Sequence, residues 1–411
     1  MSSNLPNEIH AEILAHAVHL GHYWGECMEM RSAIALVCHL WNGILKSDSS
    51  IWRDVVVRYG MPNTHVAHVL DRAAHMTVPL NILVSTEAYS SGKSIKWCPD
   101  EESLLRWLAF VGPLFAELSP RAERIEVRSF NQQAVRSILF AMRFSTSYAV
   151  TELFLAAASP LDTRTMMPAP GGNCERLLLL GITPYWEASV YAPLTELRLA
   201  EITDDLHWPA LRTVLQNCKA LRTLGLTNVA CGGTVDGVSI SLPHLVALHF
   251  TYMSIAHVAL LHLIVTPALT ELRIQSFVRR AWPELVVAVL PLLPSLLTLS
   301  VSVWSYSEVA ARIFPHLHSV VRVDIGYTSH KFLEEMRSAV HRPPIQRIRN
   351  WIVPSGITVA QANPLLHWPG ADIVALYEIV PPTKDVDNAT YLRWTKVGRE
   401  FRVKGVKGMD N

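Results

Sequence analysis

The sequence predicts an α/β chain: a small N-terminal helical module followed by an irregular solenoid of strand, turn and helix units with a parallel sheet on its concave side. Three observations carry that expectation. The opening fifty-odd residues show helical apolar spacing, and further on an L-x-x-L-x-L pattern returns at intervals of 20 to 28 residues. Half of the 411 residues are apolar and only 17% are charged, below the roughly 25% usual in globular chains, so there is much surface to bury. The expected organisation is residues 1–60 as the helical module, 61–120 as a helical and strand linker capping the solenoid, 121–380 as the solenoid and 381–411 as a tail.

Taken in order, Leu5-Pro6-Asn7-Glu8-Ile9 opens a helix. Pro6 lacks an amide hydrogen and has a fixed φ, which suits a first helical turn, and Ser3 or Asn4 stands where a cap is needed. Ile9, Ile13 and Ala17 recur four apart, widened by Leu14 and Val18, giving an amphipathic helix with a face to bury. Arg31 to Leu45 carries two apolar sides, one from Ile34, Val37, Trp41 and Ile44 and another from Leu36 and Leu40. One helix cannot hide both within so small a unit, so the surplus implies a partner or a following domain.

Together, L-P-x-E-I-x-x-E-I-L, then A-L-V-C-x-x-W from Ala35 to Trp41, then S-x-W-R-D-V from Ser50 to Val55 resemble the F-box. The resemblance implies a helical module that docks on a Skp-type adaptor. It places the docking residues at Leu5, Pro6, Ile9, Ile13, Val37, Cys38, Trp41 and Trp52. The link from about His19 to Met30 is longer than the family's usual connection between its first two helices. A plainer reading makes the same apolar residues the core of a cap on a larger domain.

Between residues 61 and 85, His65 to Ala74 reads as a helix and Val78 to Val84 as a buried strand, an order also similar to fungal F-box proteins. The polar stretch that follows contains Ser91-Gly92-Lys93-Ser94. A phosphate-binding loop needs a glycine five positions before its second glycine, and Glu87 stands there instead, so a loop without nucleotide is expected.

The repeat is clearest at Leu194-Leu197-Leu199, Leu221-Leu224-Leu226, Leu245-Leu248-Phe250, Leu269-Leu272-Ile274 and Leu296-Leu299-Val301. Degenerate copies stand at Ala122-Ile125-Val127, Val150-Leu153-Leu155, Cys174-Leu177-Leu179 and Val320-Val323-Ile325, with echoes near Ile348 and Leu376. Middle positions are separated by 28, 24, 20, 27, 24, 24, 27 and 24 residues, which is similar to leucine-rich repeats. Such units cannot cover their apolar sides singly, and stacking buries a continuous core. Where that family ties down the turn with Asn or Cys, this chain has Ile202, Val229, Met253, Phe277 and Trp304, so the asparagine ladder is missing and the turns need other partners.

Alternation along the strands turns Glu196, Arg198, His249, Glu271, Arg273 and Gln275 away from the core. The resemblance to F-box proteins with repeats makes that face the place where a protein substrate would bind. A solvated sheet with neighbouring ion pairs is the plainer account.

A formal net charge of +1 supplies no global field toward nucleic acid or an anionic membrane, so neither is an expected partner. Six cysteines form no C-x-x-C pair and no regular spacing, which suits free thiols in a reducing compartment, and the opening residues, lacking a basic, apolar and small-residue progression, are not expected to be a secretory signal. The uncharged runs Leu285 to Ser307 and Gly237 to Thr270 are broken by prolines or diluted by histidines and are not expected to span a membrane. His16, His19, His22 and Cys27 have zinc-compatible side chains, but their spacing spreads them over different helical faces. No metal, cofactor or catalytic site is expected, and no H-E-x-x-H, G-x-S-x-G or G-x-G-x-x-G occurs. The tail holds Lys396, Arg399, Arg402, Lys404 and Lys407 and reads as a solvated end.

What the resemblance implies is a non-catalytic substrate receptor of fungal type. It would join a Skp-type adaptor, a cullin and a RING subunit into a ubiquitin ligase, in the cytoplasm, the nucleus or both. The alternative is a repeat scaffold that works without ubiquitin.

Overall fold

The computed structural model describes residues 6–19, 24–75, 78–86, 88–90, 93–95, 101–141, 150–159, 172–182, 191–232, 237–253, 255–277, 282–301, 313, 316–320, 322–325, 350–353 and 374–376. The chain is an α/β fold of leucine-rich-repeat type: helices first, then parallel strands alternating with helices. It divides into two compact units. The first comprises residues 1–196 with 200–204, the second residues 197–199 with 205–411.

The first unit opens with three helices, α1 (Asn7–His19), α2 (Trp24–Val37) and α3 (His39–Ser47). Pro6 stands just outside α1, and its carbonyl accepts from the amides of Ile9 and His10 at 3.1 and 3.2 Å. It therefore serves as the N-cap residue. The expected link between His19 and Met30 is mostly helix, since α2 begins at Trp24; Leu20 to Tyr23 lie outside the described residues, as do Leu5 and the proposed caps Ser3 and Asn4. The two-sided segment from Arg31 to Leu45 resolves its conflict by breaking. Cys38 is fully extended, at φ −162° and ψ 166°, and its Sγ accepts from the amide of Trp41 at 3.5 Å, so it ends one helix and caps the next.

After the helices come β1 (Asp54–Arg58), α4 (Asn63–Ala74), β2 (Leu80–Ser85), a short antiparallel pair β3 (Ala88–Ser90) and β4 (Lys93–Ile95), then α5 (Glu101–Leu118), β5 (Ala122–Asn131), α6 (Gln132–Ala141), β6 (Glu152–Ser159) and β7 (Arg176–Leu180). Strands β1, β2, β5, β6 and β7 pair in that order, all parallel. In register across them run Val55, Ile82, Ile125, Leu153 and Leu177, and two residues on Val57, Val84, Val127, Leu155 and Leu179. Every one is at most 1% exposed. Helices packed over a parallel sheet leave its inner face no water, so only aliphatic residues satisfy these positions. The sheet begins earlier than the sequence repeat suggested: β1 and β2 supply two rows to the same ladder that the first recognised copy, Ala122-Ile125-Val127, continues.

Strand β8 (Glu196–His207) contributes to both units. The second unit continues with α7 (Trp208–Asn217), β9 (Thr223–Gly232), β10 (Ile240–Ser241), β11 (Ala247–Met253), α8 (Ile255–Leu263), β12 (Ile264–Val265), β13 (Glu271–Phe277), α9 (Trp282–Val289), β14 (Thr298–Val301), β15 (Arg322–Ile325), β16 (Asn350–Val353) and β17 (Val374–Leu376). Its parallel ladder aligns Leu224, Leu248, Leu272, Leu299, Val323 and Trp351. All but Trp351 are the middle positions of the sequence repeat, and Trp351 lies on β16, just after the echo near Ile348. The described parts of both uncharged runs are consumed by this alternation, and no helix among the described residues is long and apolar enough to cross a membrane.

The missing asparagine ladder has a replacement in three successive turns. Two residues beyond the last strand leucine, Gly181, Glu201 and Asn228 all take left-handed φ, at 65°, 53° and 47°. The next residue in each case, Ile182, Ile202 or Val229, is buried. A reversal of backbone hand thus turns the chain inward, and an aliphatic plug fills the place where a polar side chain would tie down the loop. Trp304 lies outside the described residues.

One buried histidine gives the second unit a pH dependence. His257 on α8 is 1% exposed and meets the Phe250 ring edge-on, with centroids 5.7 Å apart. Burial pushes its pKa down to about 4 from the ordinary 6.5. The unfolded chain takes up this proton below 6.5 while the folded chain resists until about 4, so stability is full above 6.5 and is lost as pH falls across that window. At about 1.36 kcal/mol per unit, the loss reaches about 2 kcal/mol at pH 5. Urea unfolding at pH 7 and pH 5 is expected to show a fall of that size, shrinking in His257→Phe; equal falls in both proteins would refute the assignment.

Candidate docking surface

The helical module is organised around Leu14, Ile34, Ile44, Leu45 and Ile51, with Ala11, Ala15, Ala35, Trp41 and Trp52 packed against them. On α1 the inward stripe is His10 and Leu14, one position over from the spacing that the sequence suggested. Ile9 and Ile13 consequently sit on the margin and are 40% and 49% exposed. At the break between α2 and α3, Leu36, Val37 and Leu40 are 86%, 59% and 44% exposed, and Cys38 is open as well. Helix α1 packs on both α2 and α3. The residues singled out from the sequence therefore divide into two sets. Pro6, Ile9, Ile13, Val37 and Cys38 face outward, whereas Trp41 and Trp52 are half-buried in the module.

Trp52 is held from several sides. Its Nε1–H donates to the Leu45 carbonyl at 2.5 Å, the Arg31 guanidinium lies 5.1 Å from its ring centre, and His68 meets its edge at 6.2 Å. Arg31, itself buried, donates to the carbonyls of Ile51 at 2.5 Å and Asp54 at 3.1 Å. It joins α2 to the turn that precedes β1, a role no spacing in the sequence signals. Structural duties at Trp52 leave the exposed aliphatics as the surface that a partner could cover.

On the sheet, the six outward residues assigned from the repeat form separate groups. In the first unit, Arg176 binds Glu196 through Nε at 2.7 Å and Glu152 through Nη1 at 2.7 Å, and the bond to Glu196 leads the effects that raise its pKa. The neighbouring Glu126 is 1% exposed between Arg124 at 3.0 Å and Arg128 at 2.5 Å. This network was legible as the alternation Arg124-x-Glu126-x-Arg128 but was not singled out.

In the second unit, Glu271 accepts from Arg273 Nε at 2.5 Å and lies 2.9 Å from His249 Nε2. Burial raises the Glu271 pKa, but the bond from His249 and the charge of Arg273 outweigh it and hold the carboxyl below its usual range. Burial leads the effects that hold the His249 pKa below its ordinary 6.5, despite the bond to that carboxylate. Arg198 and Gln275 are exposed, and the Arg198 stem lies over Gly225, where an added Cβ would come within 3.1 Å of its Cγ. Paired charges of this kind can recognise polar groups.

Among the described residues no group of three or more His, Cys, Asp or Glu could hold a metal. His16 and His19 fall on α1 and Cys27 on α2, whereas His22 lies outside the described residues. Lys93 and Ser94 lie on β4, with Ser91, Gly92 and Glu87 also outside. The basic tail is outside too.

No family model matches the chain, and no curated protein matches it. Among solved structures, the Rad7–Elc1 complex of yeast aligns at 9% identity over 96% of this chain and 93% of that one, with a TM-score of 0.37. A protein from Bacteroides fragilis aligns at 11% identity over 70% and 72%, with a TM-score of 0.24.

Proposed function

We propose that this chain is the substrate-recognition subunit of an SCF-type ubiquitin ligase. The observation that carries the reading is a helical module that resembles the F-box in sequence and leaves Ile9, Ile13, Leu36, Val37 and Leu40 open to water. A module this small gains little from its own core, and covering such aliphatics with a partner is worth about 25 cal/mol for each Å² buried. The partner in this reading is a Skp-type adaptor and, through it, a cullin and a RING subunit.

The chain performs no chemistry in that mechanism. It holds a protein substrate on the outward sheet residues so that substrate lysines meet the charged conjugating enzyme at high effective concentration. Affinity purification of the intact protein with ligase activity blocked is expected to recover adaptor, cullin and substrate together. Removal of residues 1–52, which spares β1, should lose the first two and keep the third. Recovery of adaptor without cullin would replace this reading with a scaffold independent of ubiquitin.

A further inference from the structure

We infer that the groove between α3 and α4 binds an aryl phosphate, an ester joining a flat apolar body to a doubly charged head. The groove has a volume of about 440 Å³, within the range of small-ligand sites. Its floor is mostly apolar, made by the buried Leu45 and Val69 and the half-buried Trp52, with the buried Arg31 guanidinium, already bonded to the Ile51 and Asp54 carbonyls, against the Trp52 ring. Around the rim stand Lys46 from α3 and His65, His68 and Arg72 from α4. No Asp or Glu lines it. The nearby carboxylate on α4, Asp71, is turned to His75 at 3.5 Å. Neither Lys46 nor Arg72 has an ion-pair partner among the described residues.

Two ammonium and guanidinium charges facing the same hollow repel one another, and an anion between them removes that cost. Imidazoles at His65 and His68 add donors or acceptors at the same rim. A dianion fits this donor set better than a carboxylate because it engages both cations at once. The apolar floor adds a demand that inorganic phosphate cannot meet: a ring must cover Leu45, Val69 and Trp52 for their surface to leave water. The site is separate from the exposed aliphatics of the proposed adaptor surface and does not depend on that reading.

The test is calorimetric titration of the full chain with phenyl phosphate, with inorganic phosphate and phenol as comparisons. Saturation at one site is expected, with inorganic phosphate at least about tenfold weaker and phenol inert, each tenfold corresponding to about 1.4 kcal/mol. Lys46→Glu/Arg72→Glu should abolish uptake, while Arg106→Glu on α5, a reversal outside the groove, should leave it unchanged. Thr64→Trp, which fills the mouth from an exposed position without changing charge, should also abolish it and guards against misfolding of the first variant.

A phosphotyrosine peptide distinguishes the source. Binding about tenfold tighter than phenyl phosphate assigns the ester to a polypeptide, and equal or weaker binding assigns it to a free small molecule. Absence of saturation overturns the inference, as does equal affinity for inorganic phosphate or undiminished uptake by Thr64→Trp. Adaptor capture measured on the same samples separates this outcome from failure of the ligase reading.

Discussion

Aspartate at both Ile13 and Val37 is expected to eliminate adaptor capture while leaving the protein's unfolding transition in place. Both side chains are about half in water before any partner arrives, at 49% and 59% exposure, so the free chain loses little by carrying charge there. In the complex each carboxylate would be removed from water without a counter-charge, at a cost of about 2 kcal/mol or more apiece. The two together lower affinity by about a thousandfold, since each 1.4 kcal/mol is tenfold. Pull-down against the adaptor reads the loss, and a thermal melt reads the fold.

Trp41→Ala is the less informative change. Trp41 packs against the core of Leu14, Ile34, Ile44, Leu45 and Ile51, so its truncation is expected to loosen the module as well as the contact. Undiminished capture by the aspartate pair would remove α1 and the break at Cys38 from the interface.

Gly181→Ala is expected to cost the first unit about 3 kcal/mol, the sum of left-handed strain and overpacking. Gly181 has a φ of 65°, and a Cβ added there would come within 2.4 Å of the Ala157 carbonyl oxygen, a backbone atom that cannot swing aside. The corresponding turn at Asn228 already tolerates a side chain at φ 47°. Asn228→Gly should therefore stay within about 1 kcal/mol of the parent, because relief of strain and added freedom of the unfolded chain oppose each other. Urea denaturation of the two variants gives the contrast directly. Equal, small effects would mean that the carbonyl approach at Ala157 is not enforced.

The repeat was legible because a parallel ladder imposes one requirement on every strand: the residue facing inward must be apolar. Ile125, Leu153, Leu177, Leu224, Leu248, Leu272 and Leu299 meet it, and their spacing survives in a single sequence. Strand β1 escaped because Val55-Val56-Val57 is uniformly apolar and buried, giving no alternation to read. The helical module was harder. The stripe at Ile9 and Ile13 has the periodicity of a core, yet Leu14 takes the core, because periodicity fixes an angular interval and not which side faces in. Arg31 lay beyond sequence reasoning altogether, since its partners are backbone carbonyls at Ile51 and Asp54 that carry no residue identity. The charge pairing at Glu271 was foreseeable in part: Arg273 is two residues away on the same face, whereas His249 comes from the neighbouring strand.

Strands of the second unit start 24, 24, 27 and 24 residues apart from Thr223 to Arg322, and each pairs with the strand of the adjoining repeat in an unchanged frame. In-frame copying or excision of one whole block in the gene therefore gives every surviving strand an equivalent companion, so the array can lengthen or shorten in heredity without refounding its interior. Inserting one codon within a strand does the opposite, sending each downstream leucine of that strand toward water.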